Sequence, residues 1–176
     1  MAFDLDMHTF RLLQQEPFFA ALSRRIHKYP TKRIPTAGVT INKDTAQFEM
    51  IYNPEFFENL EENHRLGVLM HEFYHIIFEH VTGRLPSEGM SKLWNIATDL
   101  AINSHLQGKL PEGCCMPGEG PFKDYPTGKA AEWYYSKLQQ DEDFNGQGGD
   151  GDGEGEGEGE GGQGGGSGQG QFDSHE

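Results

Sequence analysis

The sequence predicts an α+β domain over residues 1–140, mostly helical with one small β-hairpin, followed by a disordered tail over residues 141–176. Three observations predict this. Apolar residues recur at helical spacing in most of the long segments, and they alternate with polar ones only between residues 37 and 53. The third is a split in composition. The 176 residues carry a formal charge of -14, yet 141–176 alone holds 15 of the 24 glycines, 11 of the 28 acids and no Lys or Arg. Residues 1–140 keep 17 acids and 14 bases, an ordinary balance, and such a length buries a usable core without disulfides.

In chain order, Leu5 to Tyr29 reads as helix, restarted at Pro17, which suits a first helical position. Phe18, Phe19, Leu22 and Ile26 follow at helical spacing, and Tyr29-Pro30 and Ile34-Pro35 end the run. Ala37–Asn42 and Ala46–Asn53 read as hairpin strands, with Val39 and Ile41 on one and Phe48, Met50 and Tyr52 on the other. Asn53-Pro54 opens a short helix, Glu55–Leu60. Glu61 to Thr82 is the strongest helix, striped with Leu66, Leu69, Met70, Phe73, Ile76, Ile77 and Val81, and Gly83 supplies its stop. A helix from Ser91 to Gln107, a Gly- and Pro-rich loop over 112–126 and a last helix, Ala130–Leu138, complete the domain. The Gly/acid segment beyond has no apolar residue between Asn145 and Gly170 and cannot offset its own ordering entropy.

Several functions are excluded. No run of 18 apolar residues exists, so no transmembrane helix is expected. The start, MAFDLDMHTF, has neither the basic nor the apolar region of a signal peptide. An acidic balance argues against nucleic acid as a partner. The only cysteines, Cys114 and Cys115, are adjacent and build no disulfide framework, which points to a reducing, cytoplasmic setting.

The chemistry lies in His71-Glu72-Phe73-Tyr74-His75, an HExxH sequence inside the strongest helix. Residues i and i+4 share a face, so both imidazoles can reach one metal ion. Glu72 sits about 100° around from His71, and can reach a water at that ion as general base. The competing account is a pair of hydrogen-bonded histidines on a half-buried helix. It fits poorly with Leu69, Met70, Phe73, Ile76 and Ile77, which make this a core helix where an uncompensated Glu is costly.

Zinc needs a third protein ligand, and His64, His80, Asp99 and His105 are the candidates. His64 is about 10 Å down the axis from His71. His80 is on the opposite side of a straight helix and ligates only if the helix breaks first; no Gly or Pro lies between it and His75. Asp99 is favoured. It sits within a polar stripe, Asn95, Asp99 and Asn103, on a helix otherwise rich in Ile, Leu and Ala, where Ala97 and Ala101 permit close approach of a neighbour.

These parts together resemble a known family. Pro17-Phe18, the run Ile51-Tyr52-Asn53-Pro54-Glu55-Phe56, the run from Gly67 to His75, His80, the WNxAxDxxIN stretch Trp94–Asn103, and Leu110-Pro111-Glu112-Gly113 are similar to the metallopeptidase domain at the N-terminus of von Willebrand A-like metallopeptidase proteins of bacteria and phages. The likeness covers about two thirds of the chain, and the two motifs at this separation are far more specific than HExxH alone. It implies a zincin-like fold, with His71 and His75 as zinc ligands, Glu72 as the catalytic glutamate and Asp99 as third ligand. His80 also matches the family pattern and reads as a supporting residue, and Asn95 and Asn103 of the polar stripe are further candidates for that part. Phe73-Tyr74 departs from the smaller aliphatic pair expected there, which alters packing but not ligation. The family's second domain is not expected within these residues: where it would start, the tail runs into Gln171-Phe172-Asp173-Ser174-His175-Glu176 and reads as a linker, of either a natural short member or a truncated product.

The expected activity is peptide-bond hydrolysis on a peptide or protein substrate, with Tyr52, His105 and Tyr125 as alternative donors to the oxyanion. The strand Ala46–Tyr52 is a candidate edge for an extended substrate. The rival is an assembly module in which a metal only joins two helices. The acidic tail would suit a basic protein partner, against the plainer account of a solvated spacer. Cys114-Cys115 reads as two reduced loop thiols, and Arg24, Arg25, Lys28, Lys32 and Arg33 as a solvated basic face.

Overall fold

The computed structural model describes residues 5–87 and 91–141. The expected tail therefore lies, from residue 142 on, outside the described residues. Among the described residues, six α-helices and three strands occur in the order α1 Leu5–Gln15, α2 Pro17–Ser23, β1 His27–Pro30, β2 Ala37–Ile41, β3 Phe48–Tyr52, α3 Pro54–Asn59, α4 Glu62–Ile77, α5 Lys92–Asn103 and α6 Ala131–Gln140, with a short 3-10 turn at Gly120–Phe122. The mixed, mostly helical α+β class is as the sequence predicts.

Local chemistry sets most of the boundaries. Pro17 opens α2, where its missing N–H costs nothing. Asn53 caps α3 by accepting from the Glu55 N–H (3.1 Å), and Pro54 follows at the first helical position. Ser91 caps α5, its Oγ accepting from the Trp94 N–H at 3.1 Å. Arg65 on α4 ends α3 from outside: Nε donates to the Phe57 carbonyl (2.7 Å) and Nη2 to the Glu58 carbonyl (2.9 Å).

The sheet order is β1-β3-β2, with β2 antiparallel and β1 parallel to β3. This corrects two expectations. His27–Pro30 is a strand, not the last turn of a helix running to Tyr29. And β3 is the central strand, paired on both sides, so the Ala46–Tyr52 segment has no open edge to offer an extended peptide.

The helix expected to run to Thr82 stops at Ile77. Glu79 takes the left-handed conformation (φ 57°), its N–H donates to the Ile76 carbonyl (3.1 Å), and the His80 N–H donates to the His75 carbonyl (2.9 Å). This is a Schellman termination with Glu in the place glycine usually holds. Gly83 is not the stop. The turn is fastened from outside, with Trp94 Nε1 donating to the His80 carbonyl at 3.1 Å and Arg84 Nη1 to the Phe78 carbonyl at 3.1 Å. Arg84 also forks onto both carboxylate oxygens of Glu132, tying the turn to α6.

Two apolar clusters result. One joins α1, α2, the sheet, α3 and α4 around Phe57, Val68, Leu69 and Phe73. The other joins α5, α6 and the 3-10 turn around Trp94, Leu100, Tyr134 and Leu138. Fully burying each of these larger side chains contributes about 1.5–3 kcal/mol, which fixes α4 and α5 as rigid supports. Phe73 stacks on Phe19 (6.4 Å) and Tyr74 meets Phe19 edge-on (5.1 Å), so the bulky pair inside HExxH is used to seat α4 on α2.

Gly67 allows α4 to press against the loop after α5, since a Cβ there would lie 1.8 Å from the Lys109 carbonyl oxygen. Gly67→Ala is expected to lose about 3 kcal/mol of stability, because backbone, not a flexible side chain, must move. Urea unfolding checks this; an unchanged midpoint would mean that α4 is not seated on that carbonyl.

Candidate metal centre

The helices α4 and α5 meet between the two apolar clusters, and their polar residues gather there. His71, Glu72 and His75 on α4 are each 0% exposed, and Asp99 on α5 is 1% exposed. The i, i+4 spacing brings His71 Nε2 and His75 Nε2 to 3.1 Å. Asp99 Oδ1 lies 3.5 Å from His71 Nε2 and 3.4 Å from His75 Nε2. The three donors form a nearly equilateral triangle. A tetrahedral ion bonded at about 2.0–2.1 Å holds its donors about 3.3–3.4 Å apart, so two nitrogens and one oxygen here fit a single metal ion without rearrangement. Among the described residues this is the one cluster of His, Cys, Asp or Glu able to hold a metal ion.

Electrostatics agree with that grouping. Burial pushes the Asp99 carboxyl up, but hydrogen bonds and charge from His71 and His75 outweigh it and hold the group below the ordinary carboxylate range. Both Glu72 oxygens are shut off from solvent in the same interior.

The supporting residues separate. Asn103 Oδ1 lies 2.8 Å from His71 Nδ1, and Asn103 Nδ2 donates to the Cys115 carbonyl at 2.8 Å. His80 Nδ1 lies 3.4 Å from His75 Nδ1, because the Schellman turn folds His80 back onto the helix. Its approach is to the outer nitrogen of His75, away from the triangle of donors. Asn95 is buried one turn before Asp99, and its Oδ1 has no hydrogen-bond partner among the described residues.

The oxyanion-donor candidates are dispersed. Tyr125 directs its hydroxyl to Asp141 Oδ2 (3.4 Å), and Tyr52 packs edge-on against Phe57 (6.0 Å). His105 falls beyond the end of α5, packed against Tyr74 and Phe78, and lines a cavity of about 200 Å³ shared with Phe78, His80, Arg84, Ala101 and Lys129. What the sequence did not disclose is the part of Cys115. Its contribution is a main-chain carbonyl, which no residue type announces. Both thiols are free. Burial, then the charge of Asp99, pushes Cys114 up to about 12 and Cys115 higher still, so neither is a ready nucleophile. Of the basic cluster, Lys28 donates to the Ser23 carbonyl and Lys32 pairs with Glu55. No described helix is long and apolar enough to cross a membrane.

Comparison with known proteins agrees with the site. An uncharacterized protein of Thermotoga maritima is 25% identical over 93 residues, which is 53% of this chain and 23% of that protein; the chain thus spans well under half the length of this relative. No solved structure matches. A family model described as a putative metallopeptidase domain matches residues 4–175, almost the whole sequence and all of the residues that form the centre. The chain belongs to that putative metallopeptidase domain family.

Proposed function

We propose that this domain is a zinc-dependent metallopeptidase, hydrolysing peptide bonds at the His71–His75–Asp99 centre with Glu72 as general base. The observation that carries the reading is the donor triangle, with edges of 3.1, 3.5 and 3.4 Å, on a helix where the residue after His71 is a buried glutamate. His71 and His75 would hold the ion through Nε2 and Asp99 through Oδ1, leaving one position open. Zinc bound there supplies Lewis acidity, polarising a carbonyl and bringing the pKa of a water toward neutrality. Glu72 takes a proton from the attacking water and passes it to the leaving amine nitrogen. Its seclusion keeps that proton from bulk solvent. His80 holds the His75 ring from behind, as partners outside a metal's ligand set commonly do. In this reading the partner is a peptide or protein, not nucleic acid or a membrane, in a cytoplasmic setting, and the acidic composition of the tail suits a basic protein.

One observation favours a second reading. All three ligands and Glu72 are at most 1% exposed, as in a closed structural site, where the ion serves only to join α4 to α5. The test is to measure zinc in the purified protein and hydrolysis of an unfolded protein substrate, before and after chelation. The peptidase reading expects roughly one zinc per chain, with hydrolysis lost on chelation and restored by zinc. A zinc-loaded protein that cleaves nothing would support the joining role, and a protein that takes up no zinc would reject both.

A further inference from the structure

The centre needs more than three ligands in range. A neutral imidazole has one lone pair, and it must sit on the nitrogen that faces the ion. For His71 that nitrogen is Nε2, which faces His75 and Asp99, so the ring proton must be on Nδ1. The triangle does not enforce this tautomer, since the Asp99 carboxylate 3.5 Å from Nε2 would itself accept a proton held there.

Asn103 does. Its side-chain amide is held between two partners, the Cys115 carbonyl at 2.8 Å and His71 Nδ1 at 2.8 Å. A main-chain carbonyl only accepts, so the group facing Cys115 must be the NH₂. The amide oxygen is thereby turned to His71 Nδ1, where it can only accept, and Nδ1 must carry the proton. Asn103 is 0% exposed, so flipping it would set oxygen against oxygen in a site closed to water. The Cys115 carbonyl is itself set in a short loop between Pro111 and Pro117, with Met116 buried in the first apolar cluster and Cys114 Sγ donating to the Pro111 carbonyl at 3.1 Å.

We propose that Asn103 is a positioning residue that presets the His71 tautomer for metal binding, and that the Cys115 carbonyl fixes the direction of Asn103. The lock rests on the metal-site reading for its purpose, but its existence is testable in metal-free protein. It also separates Asn103 from Asn95, which shares the polar stripe of α5 and lacks such a clamp. The loop carrying Cys115 thus joins the centre through one side chain, though it contributes no ligand.

Two measurements test this. In metal-free protein labelled with ¹⁵N-histidine, long-range ¹H–¹⁵N spectra at a pH where His71 is neutral, assigned with His71→Gln, are expected to show His71 protonated at Nδ1. A wild-type ring protonated at Nε2 would overturn the proposal, whether or not the protein binds zinc. Second, zinc affinity is read by chelator competition. Asn103→Ala removes the acceptor and is expected to weaken zinc binding about 10–100-fold, whereas Asn103→Asp, protonated on the oxygen that meets the Cys115 carbonyl, keeps an acceptor at His71 and should stay within about threefold of wild type. Equal losses in both variants would show a merely structural role and reject the assignment. If Asn103→Ala does not fold, the wild-type spectrum and Asn103→Asp still decide: an Asp variant weakened more than about tenfold sinks the proposal. A wild type that shows the Nδ1 tautomer but takes up no zinc would reject the peptidase reading while leaving the lock in place.

Discussion

Asp99→Ala is expected to abolish stoichiometric zinc binding. The remaining donors, His71 Nε2 and His75 Nε2, lie 3.1 Å apart on one face of α4 and give only two bonds, one fewer than any protein zinc site normally provides. The variant also removes the negative charge that offsets the ion's own. Removing one member of a buried polar set costs about 3–5 kcal/mol when a partner is left charged, so the metal-free variant should also be less stable wherever His71 or His75 is protonated. The sign with pH follows. Asp99 titrates below its ordinary value in the folded chain, so its contribution is intact above the unfolded pKa of about 4 and is lost as pH falls through the lower folded value. Zinc affinity should also fall as pH drops, because protons compete with the metal for the imidazole nitrogens. Metal analysis after gel filtration, with unfolding midpoints for both metal-free proteins, checks this. An unchanged zinc load would remove Asp99 from the ligand set and leave the site without its third donor.

How far the sequence disclosed this centre depends on the kind of signal each part carries. The pairing of His71 with His75 is local, fixed by helical periodicity, and Asp99 stood out because a charged residue in an Ile- and Ala-rich helix needs a partner. Both helices were legible for the same reason, although their ends were not. The stop of α4 turned on Glu79 accepting a left-handed backbone (φ 57°), which costs an L-residue about 1–2 kcal/mol and is offset by side-chain contacts from Arg84 and, from the next helix, Trp94. A Gly or Pro would have announced it; Glu does not. Strand β1 was hidden for a related reason. His27, Tyr29 and Pro30 are exposed, so the edge strand shows no alternation, and its parallel register against β3 is a tertiary fact. The stripe drew no distinction between Asn95 and Asn103, which the position of the Cys115 carbonyl supplies.

Glu72→Gln carries the largest expected effect on activity and the smallest on structure. Glu72 is 0% exposed on a helix whose neighbours are fully packed, and glutamine matches it in shape, so no cavity opens and α4 keeps its seat. Replacing a buried carboxylate by a neutral amide removes a desolvation cost, so stability without metal should be unchanged or higher. The amide is not a base. Loss of a positioned general base costs about 10²–10⁴-fold, so hydrolysis should fall by at least that range while zinc affinity, set by the other three side chains, stays near wild type. The contrast with Asp99→Ala is the discriminating one. In the peptidase reading Asp99→Ala loses metal and activity together, and Glu72→Gln loses activity alone. If zinc only joins α4 to α5, Glu72→Gln should be silent in every assay that Asp99→Ala disturbs. A glutamine variant that cleaves as fast as wild type would end the assignment of Glu72 as base, because no other carboxylate shares the buried metal triad's stretch of α4.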